Sequence, residues 1–218
     1  MRLSRVVYAL VKGLVRGILV VYCRLSVRGR ERVPRAGGVL LAANHCSYLD
    51  PPAVAVSSPR RVNFVAREEL FQVPVFRSLI TVLGAHRVAR GKVDRAIFRT
   101  VETLLNQGEA VLIFPEGTRS PDARLMALEP GVAFLARRTG APIVPVGVVG
   151  TQRAMPYHSM LLRPAKVTVQ FGAPIPVERG HASRESIEPV LEQLRAALCA
   201  LLPEEMRPSA SESEKELQ

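Results

Sequence analysis

The chain alternates strand-like runs with segments of helical period, and this alternation restricts the folds open to it. The strand-like runs lie at residues 38–43, 61–66, 110–114, 143–149 and 166–171. Amphipathic segments separate or follow them, the clearest at 94–106 and 184–202. Strands that alternate with helices build parallel sheets covered by helices. The sequence therefore predicts an α/β domain with a mostly parallel central sheet flanked by helices, with ligand groups at the strand ends.

Size and charge define the classes of partner. The 218 residues suit one domain with a substantial core, and the formal net charge is +11. The acidic excess is confined to 203–218, so residues 1–202 carry 28 basic against 14 acidic side chains. Such a body attracts an anionic membrane surface or a phosphorylated substrate. Nucleic acid is disfavoured, because only 5% of the residues are aromatic and no nucleic-acid-binding signature is present.

The cysteines and histidines indicate neither a disulfide framework nor a metal site. There are three cysteines, an odd number, and they lie far apart in the sequence. This pattern is typical of a protein in a reducing compartment. With four histidines and no Cys-x-x-Cys pair, we expect no bound metal.

Residues 5–22 form an apolar run that charges interrupt at Lys12 and Arg16. On a helix, Arg5, Lys12 and Arg16 fall within about 40° of one another, so they make a basic stripe on an apolar cylinder. Such a helix suits the membrane interface, with its charges toward the headgroups. The alternative is a helix packed on the protein's own core. We expect a membrane-docking helix over 1–25, a catalytic domain over 26–202 and a disordered tail over 203–218.

The most informative polar stretch is Asn44-His45-Cys46-Ser47-Tyr48-Leu49-Asp50. It follows a strand-like run and precedes Pro51-Pro52, so Asp50 is expected to cap a helix. His45 and Asp50 are five residues apart and would point about 140° away from each other on a helix. They meet only if the segment between them is a turn. The carboxylate would then bond one ring nitrogen and leave the other free as a base.

Two further polar clusters follow glycine turns or strand-like runs. Gly84-Ala85-His86-Arg87 is the first, and Phe114-Pro115-Glu116-Gly117-Thr118-Arg119-Ser120 is the second. If the strands are adjacent, both clusters reach the sheet edge that carries His45. Arg87 and Arg119 then suit bidentate binding of a phosphate. Gly117 permits a close approach of backbone N–H groups to a ligand.

These motifs, in this order, resemble the four blocks of the glycerolipid acyltransferase family, and most closely its 1-acylglycerol-3-phosphate acyltransferases. The resemblance spans roughly residues 35–150. We call Asn44–Asp50 the first block, Gly84–Arg87 the second, Phe114–Ser120 the third and Val144–Val146 the fourth.

The resemblance implies an O-acyltransferase that transfers an acyl chain from acyl-CoA or acyl carrier protein to the free hydroxyl of 1-acylglycerol 3-phosphate, giving phosphatidic acid. It makes His45 the general base and Asp50 its partner, with no cofactor and no metal. It also implies an enzyme peripheral to the cytoplasmic face of a membrane. The remaining residues that the resemblance assigns to substrate binding are Asn44, Arg67, Arg87, Glu116, Gly117, Thr118, Arg119, Val144 and Pro145.

Two departures from the family pattern leave the acceptor open. Arg67 stands where many members have lysine, and Glu129 places a negative charge where many have a cation. The alternative acceptors are glycerol 3-phosphate, another lysolipid or a sugar. A third hypothesis is a non-catalytic basic membrane-binding module, but it does not explain the spacing of His45 and Asp50. A serine hydrolase is disfavoured because no Gly-x-Ser-x-Gly elbow exists. No P-loop motif is present either.

Overall fold

A computed structural model describes residues 2–67, 74–88, 93–159 and 161–208. The helices are α1 Arg2–Cys23, α2 Asp50–Ser57, α3 Pro74–Leu83, α4 Val93–Asn106, α5 Gly131–Thr139, α6 Thr151–Ala154 and α7 Arg184–Leu201. The strands are β1 Ser26–Arg28, β2 Val39–Ala43, β3 Val62–Arg67, β4 Ala85–Val88, β5 Ala110–Ile113, β6 Ile143–Val149 and β7 Thr168–Phe171.

The strands form one sheet of seven in the order β1-β7-β6-β2-β5-β3-β4. Every neighbouring pair is parallel except β6 and β7. The predicted α/β class with a mostly parallel sheet is confirmed. The antiparallel pairing is interrupted opposite Pro145: Val146 pairs with Phe171, and Ile143 forms an isolated bridge with Ile175. A proline has no N–H to give to a ladder, so this gap accommodates it inside the sheet.

Helices bury both faces of the sheet. In β2, Leu41 and Ala43 join a cluster with residues of α1, α2 and α3. Leu40 and Ala42 point the other way, into a cluster with residues of α4, α5 and α7. All five residues of β2 are buried, as expected of a central parallel strand. The strand that leads to His45 is therefore fixed from four sides.

Helix α1 packs on the body through one face only. Leu19 and Cys23 are buried in the core, and Lys12 Nζ donates a hydrogen bond of 2.8 Å to the Ser58 carbonyl at the end of α2. The predicted orientation of the basic stripe is therefore wrong for Lys12, which faces the protein and not a headgroup layer. Burial and the neighbouring Arg30 and Arg16 lower the pKa of Lys12 to about 8.

The outward face of α1 is apolar. Eight of its large apolar side chains are exposed, at Val6, Val7, Leu10, Leu14, Ile18, Val20, Val21 and Tyr22. In the described part of the chain, the stretch Val6–Cys23 is long and apolar enough to cross a membrane. Core helices of soluble proteins and signal sequences share this property.

The predicted disordered tail does not begin at residue 203. Glu204–Met206 forms a short 3-10 helix, and Met206 is 2% exposed. The Met206 carbonyl accepts a 2.8 Å hydrogen bond from the Leu125 N–H. The reason is Met206 itself, an apolar side chain long enough to reach the cluster under α7. Residues 209–218 lie outside the described part of the chain.

Candidate active site

The register of three strands brings the polar blocks to one sheet edge. In β2, Ala42 lies opposite Ile113 of β5, and Ala43 lies opposite Val146 of β6. Because parallel strands end at the same edge, the residues after Ala43 meet those after Ile113 and the last residues of β6. The first and third blocks are therefore neighbours although about 70 residues of sequence separate them.

His45 and Asp50 form the predicted pair. His45 Nδ1 donates to Asp50 Oδ2 over 2.9 Å, with the imidazole 16% exposed and the carboxylate fully buried. The Nδ1–H tautomer leaves Nε2 with a lone pair, which is the acceptor a general base needs. Among the backbone groups and side chains that the structure describes, Nε2 has no hydrogen-bond partner.

Asp50 is not the helix cap that its position before two prolines predicts. It is the first residue of α2, and its side chain turns back into the preceding loop. Oδ2 accepts 2.8 Å hydrogen bonds from the N–H groups of Cys46 and Ser47 as well as the bond from His45. One carboxylate oxygen thus closes the turn that holds the imidazole. The other oxygen, Oδ1, is buried without a partner among the described residues.

The third block fixes the position of His45 from its other side. The backbone N–H of His45 donates to Glu116 Oε1 over 2.6 Å, and the His45 carbonyl accepts from the Ser120 N–H over 2.7 Å. The imidazole also stacks on the Phe114 ring, with centroids 3.9 Å apart and planes at 20°. Both main-chain groups and one face of the ring are therefore held before any ligand arrives.

Glu116 supports the site through two hydrogen bonds to the backbone. Its second oxygen accepts a 2.9 Å hydrogen bond from the Met126 N–H, and the residue is 5% exposed. Burial raises the pKa of Glu116 to about 7, although the two N–H donors lower it. The sequence assigned Glu116 to substrate binding. Both carboxylate oxygens already bond the backbone, and the role in substrate binding stays a prediction.

Asn44 has a comparable role. Its amide donates to the Val148 carbonyl over 2.9 Å and accepts from the Val148 N–H over 2.8 Å, and it is buried. The amide thus braces the end of β2 against β6, and the role of Asn44 in substrate binding stays a prediction. Val144 and Pro145, predicted to shape the substrate pocket, are both buried inside β6. The fourth block packs within the sheet, and its contribution to a pocket stays a prediction.

Arg119 lies between two tyrosines. Its guanidinium carbon is 3.7 Å from the ring centroid of Tyr48 and 4.3 Å from that of Tyr157. Nη1 donates to the Tyr157 carbonyl over 2.8 Å. Stacking on aromatic faces leaves the edge of a guanidinium available for a planar anion.

The other predicted binding residues divide into two groups. Gly117 and Thr118 are exposed at the tip of the third block, where Gly117 adopts φ 68° and its N–H closes a turn on the Phe114 carbonyl. Arg67 is the last residue of β3, and Arg87 is the last but one of β4, where its backbone pairs with that of Ala66. The side chains of Arg67 and Arg87 lie outside the described part of the structure.

Sequence reasoning missed the segment that follows β6. Ser47 Oγ donates to the Met155 carbonyl over 2.7 Å, and Cys46 Sγ lies 3.5 Å from Thr151 Oγ1. Burial raises the pKa of the Cys46 thiol, so it is poorly suited to act as a thiolate nucleophile. A cleft of ≈ 560 Å³ lies beside this segment, with Cys46, Ser120 and Tyr157 among its lining residues. In the sequence, the only indication of this segment is Tyr157, an aromatic residue after the predicted strand 143–149 and its following Gly150.

The geometry also limits the donors for an oxyanion. The N–H groups of His45, Cys46 and Ser47 all bond carboxylates within the site. These three donors of the first block are therefore engaged and are not available to an oxyanion. In the described ranges, no three His, Cys, Asp or Glu side chains are grouped so that they could hold a metal ion.

Comparison with known proteins agrees with this geometry. The family model "Acyltransferase" matches residues 24–149. A 1-acyl-sn-glycerol-3-phosphate acyltransferase of Cocos nucifera is 30% identical over 77% of this chain and 55% of its own length. One of Bacillus subtilis is 28% identical over 69% of this chain and 76% of its own length. The chain spans about half the length of the first curated relatives that it matches.

A solved structure shares the fold. The 1-acyl-sn-glycerophosphate acyltransferase PlsC from Thermotoga maritima superimposes with a TM-score of 0.75 at 25% identity. The match covers 91% of this chain and 79% of that one. The family model includes β2 with the first block, β5 with the third block, and β6. With the His45–Asp50 pair at the sheet edge and more than half of its length matched, the chain belongs to the acyltransferase family.

Proposed function

We propose that the protein transfers an acyl chain from an acyl thioester to the free hydroxyl of 1-acylglycerol 3-phosphate. The observation that carries the proposal is the hydrogen bond from His45 Nδ1 to the buried Asp50. An alcohol is a weak nucleophile, and a base positioned at its proton typically gains about 10²–10⁴-fold in rate. The relatives that bear this activity in their names support the choice of acceptor.

The reaction needs one base and no covalent enzyme intermediate. His45 Nε2 takes the hydroxyl proton while the oxygen attacks the thioester carbon. A C–O bond forms, the C–S bond breaks, and the imidazolium returns the proton to the leaving thiolate. Asp50 stabilises the imidazolium and holds the ring in the reactive tautomer. The thiol carrier is acyl-CoA or acyl carrier protein.

Arg119 is the proposed contact for the acceptor's phosphate. A guanidinium binds phosphate through two parallel N–H···O bonds. Nη1 is used by the Tyr157 carbonyl, whereas Nε and Nη2 bond no other described residue. Thr118, exposed beside Arg119, can add a backbone N–H donor, whereas the Gly117 N–H is used by the Phe114 carbonyl.

We also propose that α1 docks the enzyme on the cytoplasmic face of a membrane. Its outward face is apolar over five turns, and no described part of the protein covers it. An apolar face of this extent is typical of a helix that lies in the acyl-chain boundary of a lipid layer. The net charge of +11 would attract the anionic headgroups of that layer. Lipid acceptor and product then stay in the layer, while the thioester arrives from the cytosol.

A second acceptor class remains a candidate because of Glu129. Its N–H bonds the Pro115 carbonyl over 2.8 Å, so its negative side chain stands beside the third block. A carboxylate near the proposed phosphate contact would favour an acceptor of lower charge. The purified full chain should therefore be assayed with labelled acyl-CoA and acyl carrier protein against lysophosphatidic acid, glycerol 3-phosphate and lysophosphatidylcholine. We expect the highest kcat/KM with lysophosphatidic acid; a preference for lysophosphatidylcholine would refute the proposed acceptor.

A further inference from the structure

Tyr157 contacts Arg119 from outside the four blocks. Its ring lies 4.3 Å from the guanidinium carbon, and its carbonyl accepts the 2.8 Å bond from Nη1. Tyr48, on the opposite side, belongs to the first block. Tyr157 follows residue 149, where the match to the family model ends. One of the two aromatic contacts of this arginine therefore comes from a segment that no motif marks.

That segment is anchored to the catalytic turn. The Met155 carbonyl, two residues before Tyr157, accepts from Ser47 Oγ over 2.7 Å. The Ala154 carbonyl accepts from the Arg163 N–H over 2.7 Å, which ties the two ends of the loop together. Ser47 lies in the turn that Asp50 closes around His45. The position of Tyr157 is therefore set by the same turn that holds the base.

We propose that Tyr157 is a positioning residue that fixes the Arg119 guanidinium toward the phosphate of the acceptor, so that it sets acceptor affinity and not the chemical step. This assignment rests on the proposed function. A free arginine loses about 2 kcal/mol of rotamer entropy when it binds a ligand. Because two aromatic rings already restrict the Arg119 side chain, much of this entropy is lost before the acceptor binds. The benefit appears in the KM for the acceptor, because Tyr157 contacts Arg119 and no reacting atom is involved.

Three variants test the assignment in the full chain: Tyr157→Ala, Tyr157→Phe and Arg119→Ala. Tyr157→Ala should raise the KM for lysophosphatidic acid roughly 3–10-fold, the loss expected for one partly exposed cation–π contact. The kcat and the KM for acyl-CoA should stay within about twofold. Tyr157→Phe is the matched control, because it keeps the ring and the carbonyl, and it should behave as the wild type does.

The double variant separates positioning from general damage. If Tyr157 acts through Arg119, Tyr157→Ala adds nothing to the acceptor KM of an enzyme that already carries Arg119→Ala. Partial unfolding would lower kcat but leave KM unchanged, because KM does not depend on the concentration of active enzyme. An unchanged acceptor KM in Tyr157→Ala, or effects of the two substitutions that multiply, would overturn the assignment alone. A wild type that does not acylate lysophosphatidic acid would overturn the proposed function and this assignment with it.

Discussion

The turn at residues 44–50 and the helix α1 meet their surroundings in opposite ways. In the turn, the N–H groups of His45, Cys46 and Ser47 all find carboxylate partners inside the protein. On α1, an apolar face is left exposed; it contains eight of the nine exposed large apolar side chains in the described chain, the ninth being Leu161. Backbone groups that are paired inside the protein hold the turn in one geometry. An exposed apolar face of this extent is typical of a surface that binds a partner. The turn is thus braced from within the protein, whereas the outward face of α1 has no partner among the described residues.

Removal of the Asp50 carboxylate should have the largest effect, and it tests whether the turn at residues 44–50 depends on its internal hydrogen bonds. Asp50→Ala leaves three buried donors without an acceptor and frees the imidazole, so acyl transfer should fall about 10²–10⁴-fold. Stability should fall with it, by about 3–5 kcal/mol, which urea denaturation measures. Asp50→Asn keeps the size of the side chain but removes the negative charge that stabilises the imidazolium, so it should also lose activity. Activity within threefold of wild type in both variants would show that the turn does not depend on this carboxylate.

The pH dependence of stability gives a second test of the internal bracing of the turn, through Glu116. Its folded-state pKa of about 7 lies above the ordinary value of 4.5, so the folded protein holds this proton more tightly than the unfolded chain does. The free energy of unfolding should therefore fall as pH rises from about 4.5 to about 7, by up to about 3 kcal/mol from this group. Glu116→Gln cannot titrate and should lack this decline. Urea denaturation of both proteins across that range measures the difference; parallel curves would contradict it.

A matched pair of substitutions tests whether the exposed apolar face of α1 docks on a membrane. Leu10 and Leu161 are each 68% exposed, but only Leu10 lies on the outward face of α1. Leu10→Glu should weaken binding to anionic phospholipid vesicles by at least about tenfold, since it replaces a buried leucine contact in the lipid with a charge. Leu161→Glu should bind within about twofold of wild type. Co-sedimentation with vesicles measures both, and equal losses would show that α1 is not the docking element.

The local features of this site were predictable because sequence neighbours determine them. The strand, turn and helix around His45 and Asp50 follow from an apolar run, a polar stretch and two prolines. The roles of Asn44 and Glu116 were not predictable, because their partners depend on pairing across the sheet: Val148 lies 104 residues from Asn44, and His45 lies 71 from Glu116. Periodicity grouped Lys12 and Arg16 on one face of α1, but only the packed structure shows that Lys12 faces Ser58.

The most direct test of the central claim is the rate of acyl transfer to lysophosphatidic acid in His45→Ala, with His181→Ala as the control. His181 lies on an exposed loop before α7, far along the chain from the turn. We expect His45→Ala to lose at least about 10²-fold in kcat. We also expect His181→Ala to stay within twofold and both variants to unfold at the wild-type temperature within a few degrees. A folded His45→Ala enzyme with wild-type kcat would contradict the assignment of His45 as the base.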